Sequence, residues 1–237
     1  MIETTRQLLG GVPMLASLAT LSVGIGVPVA VLIAAMRQSD VVLLNWTARA
    51  YVIVFRGTPL LVLLFLIYYG LGQFAFVRSS FLWPLLREPY WCALLAFILN
   101  SSASGSEIVR GSVAAVPFGA VEAARACGMS RLLLLRRIVF PIAVRFALPT
   151  YSSETILMVK ATSLASIVTL MEVTGIASKL ISQTYRVMEI FICAGFIYLV
   201  IVFVVTRAFM ALEYWLSPHS RDAAPPQGPQ RLAAIHL

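Results

Sequence analysis

Long apolar blocks separated by short polar stretches run through most of the sequence. The first, at 12–36, is rich in Val, Ala, Leu and Gly and stops at Arg37, Gln38, Ser39 and Asp40. A polar amphipathic stretch to Ala50 leads into a second block at 51–72, which carries the turn-like Arg56, Gly57, Thr58 and Pro59 near its start. A connection with Arg78, Arg87, Glu88 and two prolines precedes a third block at 90–110. A fourth, weaker block at 146–170 is interrupted by Glu154 and Lys160, and a strong fifth covers 189–212. Blocks of about 18 residues or more, at a rise of about 1.5 Å per residue, match a hydrocarbon core of about 30 Å. The pattern predicts an all-α polytopic membrane protein with five transmembrane helices.

Composition agrees: 60% of the 237 residues are apolar and 12% charged, about half the charged share of a soluble chain. An ordinary soluble enzyme is excluded. The net charge of +8 does not mark a nucleic-acid binder, because the arginines are scattered between the apolar blocks and form no single basic face. Topology accounts for them. With the N-terminus outside, Arg37, Arg49, Arg110, Arg125, Arg131, Arg136, Arg137, Arg145, Arg207, Arg221 and Arg231 fall on the inner side, against Arg6, Arg78, Arg87, Lys179 and Arg186 outside. The expected orientation is N-terminus periplasmic and C-terminus cytoplasmic. Cys92, Cys127 and Cys193 show no metal-ligand or paired spacing, so no metal or cofactor is expected. The first block is too long for a cleaved signal peptide. Residues 1–217 are read as the transmembrane domain and 218–237, rich in Pro, Gln, Ala and Arg, as a disordered cytoplasmic tail.

Four groups of residues are candidates for chemistry. In the loop at 111–145, Gly119 precedes a helical stretch with Glu122 in its first turns, where an acid suits the positive end of the helix dipole. Ala123 and Ala124 give it a thin face, and Gly128 ends it. The plain alternative is a helix that only tidies the connection. In the fourth block Glu154 and Lys160 stand six residues apart, neither i+3 nor i+4, so each is available to another helix or to a zwitterionic ligand. Ionisable groups at that depth cost roughly 3 kcal/mol or more. Nearby Pro149, Thr162, Ser163 and Ser166 suggest an irregular polar-lined segment; the alternative is that Glu154 pairs with Arg145 or Arg56 and Lys160 snorkels outward. In the third block Asn100, Ser104, Glu107 and Gly111 share one helical stripe, as ligand site or as helix-packing glue, with Glu107 and Arg110 at i, i+3. Finally Arg56, Gly57 and Thr58, before Pro59, form either a structural turn or part of a translocation gate.

The loop at 119–141, GAVEAARACGMSRLLLLRRIVFP, resembles the EAA loop of permease subunits in ATP-binding-cassette importers. The stretches YVIVFRGTPLLVLLFLIYYGL (51–71) and LPTYSSETILMVKATSLASIVTLMEVTGIASKL (148–180) resemble the polar amino acid branch, which serves histidine, lysine/arginine/ornithine, octopine and nopaline. The resemblance runs from about Gly11 to Trp215. Where such proteins usually read NTAAYTAE this chain reads NSSASGSE, and where they read SNE it reads SSE at 152–154.

The resemblance implies a type I importer permease of the bacterial inner membrane that moves polar, cationic amino acids or opines by alternating access. It also implies its partners: a dimer of cytoplasmic ATPase subunits, a second permease subunit of the same or a sister chain, and a periplasmic substrate-binding protein. Gly119, Glu122, Ala123, Ala124 and Gly128 then inherit the role of a coupling helix seated on the ATPase. The chain carries no G-x-x-x-x-G-K-S/T phosphate loop, so the ATPase activity is expected to lie elsewhere. A membrane enzyme is disfavoured because the two histidines, His219 and His236, both lie in the tail and no acidic pair or H-E-x-x-H occurs. A passive channel or scaffold explains the spans but not the spacing of Glu122, Ala123, Ala124 and Gly128.

Overall fold

In the computed structural model, residues 2–216 are described; the tail expected to be disordered lies outside them. Their regular structure is helical throughout: α1 Ile2–Leu9, α2 Val12–Arg37, α3 Val42–Gly57, α4 Leu60–Phe65, short α5 Ala75–Arg78 and α6 Trp83–Leu86, α7 Pro89–Ala114, α8 Phe118–Ala126, α9 Arg131–Leu134, α10 Phe140–Ala161, α11 Val173–Thr184 and α12 Val187–Leu216. A π turn at Leu66–Gly70 and a 3-10 turn at Leu71–Gln73 extend α4, a π turn at Leu135–Val139 joins α9 to α10, and a 3-10 segment at Thr162–Val168 extends α10.

Three stretches are long and apolar enough to cross a bilayer: Glu3–Arg37, Pro89–Ala114 and Val187–Leu216. Two bent pairs qualify together, Val42–Gly57 with Leu60–Gln73 at 103° and Arg131–Val168 with Val173–Thr184 at 47°; counted as broken spans they bring the total to five. The single helix expected over 51–72 is thus two, and its first half starts at Val42, inside the stretch read as a polar connection. Local chemistry sets the break. A residue before proline is pushed out of the helical region, and Thr58 sits at φ −87°, ψ 129°. Pro59 then opens α4 without needing an N–H. The fourth span likewise starts earlier than expected, because helix runs without a break from Arg131 to Val168.

The α2–α7 crossing forms the centre. On α2 the inward positions are Ser22, Gly26 and Ala30, and on α7 they include Ser101, Ser102, Gly105 and Ser106. A Cβ on Gly26 would lie 3.0 Å from Ser101 Oγ, and one on Gly105 would lie 3.0 Å from Ala30 Cβ and 2.6 Å from Tyr151 Oη. Small residues four apart on facing helices let the backbones approach, which is how helices associate where lipid removes the hydrophobic drive. In the most apolar window of α7, 56% is buried against the rest of the chain, but in that of α12 only 22%. So α7 is the axis and α12 lies at the periphery.

Candidate transport cleft and coupling segment

Two adjoining cavities, of about 530 Å³ and 320 Å³, open between the end of α3, the middle of α7 and α10. Arg56, Ser104 and Glu154 line both. The larger also takes in Glu107, Ile108, Gly111, Phe146 and Thr150; the smaller adds Thr58, Pro59, Asn100, Leu157 and Met158. Volumes of this order suit a small-molecule site. Arg56, Thr58, Asn100, Ser104 and Glu154 therefore converge from three segments far apart in sequence. The stripe expected on the third span faces this cleft.

The break between α3 and α4 positions one wall. Thr58 returns both its N–H and its Oγ1 to Val54 O, at 3.0 and 2.7 Å. The next carbonyl, Phe55 O, stands four residues before Pro59, which has no N–H to give. Asn100 Nδ2 donates to it instead, at 3.1 Å. Asn100 is thus a brace for the break as well as part of the lining. Arg56, in the last turn of α3, complements the negative end of that helix. Neither Arg56 nor Glu154 closes a salt bridge among the described residues, so the expected alternative of Glu154 pairing with Arg145 or Arg56 is not observed.

Other expected site residues lie elsewhere. Lys160 is exposed and lines neither cavity. Thr162 Oγ1 donates to Val159 O at 2.7 Å, Ser163 Oγ to Lys160 O at 2.8 Å and Ser166 Oγ to Ser163 O at 2.7 Å. Each hydroxyl reaches three residues back to its own backbone, and that of Thr162 also lies against the Tyr198 hydroxyl of α12. Gly57 marks the bend and lines neither cavity.

At the far end of the larger cavity Glu107 pairs with Arg110 at 2.9 Å, as the i, i+3 spacing predicts, and also with Arg37 of α2. Sequence reasoning missed this role of Arg37, which is 70 positions away and was read as the end of a span and an inner-side charge.

The loop at 111–145 holds α8. Ala124 faces inward with Val121 onto Leu134, Ile138 and Val139, whereas Gly119, Glu122 and Ala123 are exposed. Gly128, at φ +76°, ends the helix in a left-handed cap: its N–H goes to Arg125 O at 2.9 Å and that of Met129 to Ala124 O at 3.1 Å. This pair of bonds is a Schellman motif, and Met129 and Ala124 meet in the same apolar cluster, as the motif favours.

Residues 26–221 match the family described as binding-protein-dependent transport system inner membrane component. The chain belongs to this family. Like this inner membrane component, its relatives are permeases by name. The octopine transport system permease protein OccM of Rhizobium meliloti is 54% identical over 94% of this chain and 91% of its own length. The nopaline transport system permease protein NocM of Agrobacterium fabrum is 52% identical over 93% and 92%. The arginine ABC transporter permease protein ArtM of Escherichia coli is 44% identical over 72% and 76%. Among solved structures, the crystal structure of an amino acid ABC transporter with histidines superposes at a TM-score of 0.81, with 33% identity over 91% of this chain and 96% of that one. The fold is that of a type I importer permease.

One further buried group of this inner membrane component escaped the sequence. Glu172, fully buried, caps α11 by accepting from Thr174 N at 2.8 Å and Gly175 N at 2.9 Å, and it also accepts from Tyr198 Oη of α12 at 2.8 Å. Gly11 lies against the backbone of Glu172 and Val173, so close that a Cβ there would stand 2.5 Å from Glu172 C. Glutamate is not a favoured cap residue, which is why the sequence offered no signal.

Proposed function

We propose that this permease subunit carries a basic amino acid or an opine through the cleft between α3, α7 and α10, with Arg56 and Glu154 as its charged recognition pair. One observation carries the reading: a guanidinium and a carboxylate line the same cavity without closing a salt bridge on each other. Such a pair complements a zwitterion, Arg56 toward a carboxylate by a planar fork and Glu154 toward an ammonium or guanidinium. Ser104 adds a hydroxyl, while Thr58 Oγ1 and Asn100 Nδ2 already donate to Val54 O and Phe55 O, which leaves the Thr58 oxygen and the Asn100 amide oxygen as acceptors. Lys160, Gly57, Thr162 and Ser163 take no part in ligand contact. The names of the octopine, nopaline and arginine relatives favour a substrate that joins a carboxylate to a basic group.

The same reading places α8 on the cytoplasmic side with the N-terminus periplasmic. A partner ATPase dimer binds Gly119, Glu122 and Ala123 on its exposed face, held in shape by Ala124 and Gly128. A second permease subunit, the same chain or a sister, completes the pore, and a periplasmic binding protein delivers substrate. ATP-driven movement of α8 rocks the broken spans and exposes the cleft alternately to either side. The test is uptake of labelled arginine and octopine by proteoliposomes holding the assembled importer. Glu154→Gln and Arg56→Gln should each lower uptake at least tenfold while leaving assembly and basal ATPase activity unchanged. Full uptake by both variants refutes the assignment.

A further inference from the structure

The segment from Arg131 to Val139, α9 and its π turn, presents two unlike chemistries at once. Leu134 and Val139, five apart as a π turn spaces one face, turn inward onto Ala124 of α8. The residues between and around them fan outward: Leu132 is 76% exposed, Leu135 52% and Phe140 62%. Arg131, Arg136 and Arg137 are exposed on the same stretch, and none meets a carboxylate at ion-pair distance among the described residues. Leu132 and Leu133 precede Arg136 and Arg137 by one turn of this stretch, and all four side chains are exposed. Helix continues directly from here into the fourth span.

Water leaves the leucines uncovered, and hydrocarbon leaves the guanidiniums unsolvated. The headgroup layer satisfies both, with apolar side chains at the acyl boundary and cations beside phosphates. We propose that Arg131, Arg136 and Arg137 form a binding site for the phosphodiester headgroup of an anionic phospholipid, with Leu132, Leu133 and Leu135 seated against its acyl chains. Guanidinium forks match phosphate oxygens better than ammonium groups do, and this stretch contains no lysine. The site lies beside α8, so a bound headgroup steadies the cluster of Leu134, Val139 and Ala124 that holds the coupling helix. The inference rests on the cytoplasmic placement of α8.

The experiment titrates fluorescent phosphatidylglycerol, with phosphatidylcholine as control, into the assembled importer in detergent. Each Arg→Gln change at 131, 136 and 137 should raise the phosphatidylglycerol dissociation constant about fivefold, the equivalent of about 1 kcal/mol per arginine near an anionic surface. Phosphatidylcholine affinity should stay constant. An unchanged phosphatidylglycerol affinity in the triple variant overturns the site. So does release of the ATPase subunit with lipid affinity intact, which would mean the arginines face an acidic protein surface. Leu132→Cys, labelled by an impermeant reagent on sealed cells, tests the placement separately: modification from outside refutes the orientation alone.

Discussion

Asn100→Ala removes the donor that closes Phe55 O at the α3–α4 break. The carbonyl cannot find another donor on its own helix, because the residue four positions on is Pro59. A buried acceptor left unsatisfied costs about 1–3 kcal/mol, and hydrogen bonds between membrane helices measure about 0.6 kcal/mol on average with a maximum near 1.7. Phe55 is only half-buried, so the expected loss is about 1–2 kcal/mol. The diagnostic partner is Pro59→Ala, which restores an N–H at the position from which a continuing helix reaches Phe55 O. In that background Asn100→Ala should cost less than about 0.5 kcal/mol. The two changes then couple by about 1 kcal/mol, well outside the roughly 0.3–0.5 kcal/mol scatter of independent sites. Unfolding in mixed detergent micelles, followed by far-ultraviolet circular dichroism, measures all four corners of this cycle. Pro59→Ala alone should also reduce uptake, since relaxing the 103° bend swings Arg56 away from Glu154. Additive stability effects would refute the account of Asn100 as a brace and leave it only a lining residue.

Three further tests follow from the structure. Gly128→Ala should destabilise by about 1–2 kcal/mol, the cost of a left-handed conformation at φ +76° for a residue with a Cβ, while Gly128→Asn costs less; equal Tm values for the two would count against the cap. Glu172→Ala strands Thr174 N and Gly175 N in a buried site, leaves Tyr198 Oη with Thr174 Oγ1, and should lower stability by about 2–4 kcal/mol, with Glu172→Gln retaining part of it because one amide oxygen still accepts; a tolerated alanine, read by thermal unfolding in detergent, would be inconsistent with the cap. Gly105→Ala sets a methyl 2.6 Å from Tyr151 Oη, a buried hydroxyl without a hydrogen-bond partner among the described residues. Tyr151→Phe should therefore be neutral or stabilising by itself and should rescue part of the Gly105→Ala defect; no rescue in expression or Tm would refute the contact.

The all-α class and three long apolar helices were legible in the sequence because hydropathy over about 20 residues is a bulk property that single contacts do not override. Residues 12–36, 90–110 and 189–212 read almost as they fold, as α2, α7 and α12. The break at Arg56, Gly57, Thr58 and Pro59 was visible too, since proline acts through its immediate neighbours. Its angle was not, nor was the helical start at Val42, because Trp46 and Leu43 carry their exposed apolar surface within a stretch whose Asn45, Thr47 and Arg49 read as polar.

The lining of the cleft was half legible. Asn100, Ser104 and Glu107 lie on one helix, so period alone puts them on one face. Arg56 and Glu154 join them only through packing of α3 and α10 against α7, which spacing cannot show. Lys160, Thr162 and Ser163 lie outside the lining, and a polar cluster in a membrane segment has two outlets, a ligand or its own backbone. Here the 3-10 segment Thr162–Val168 begins where the hydroxyls of Thr162, Ser163 and Ser166 each turn back three residues. That local outlet needs no partner helix and no water, so it is open wherever the helix ladder is already loosening. Glu154 has no such outlet. A carboxylate cannot donate to a carbonyl, so at that depth it needs a wet cavity or a cation. The cavity it lines is the one to which Arg56 also contributes. The distinction is general for polar residues in membrane helices: hydroxyls can be silenced locally, whereas an ionised carboxylate in mid-helix forces a cavity, a partner or a ligand into the structure.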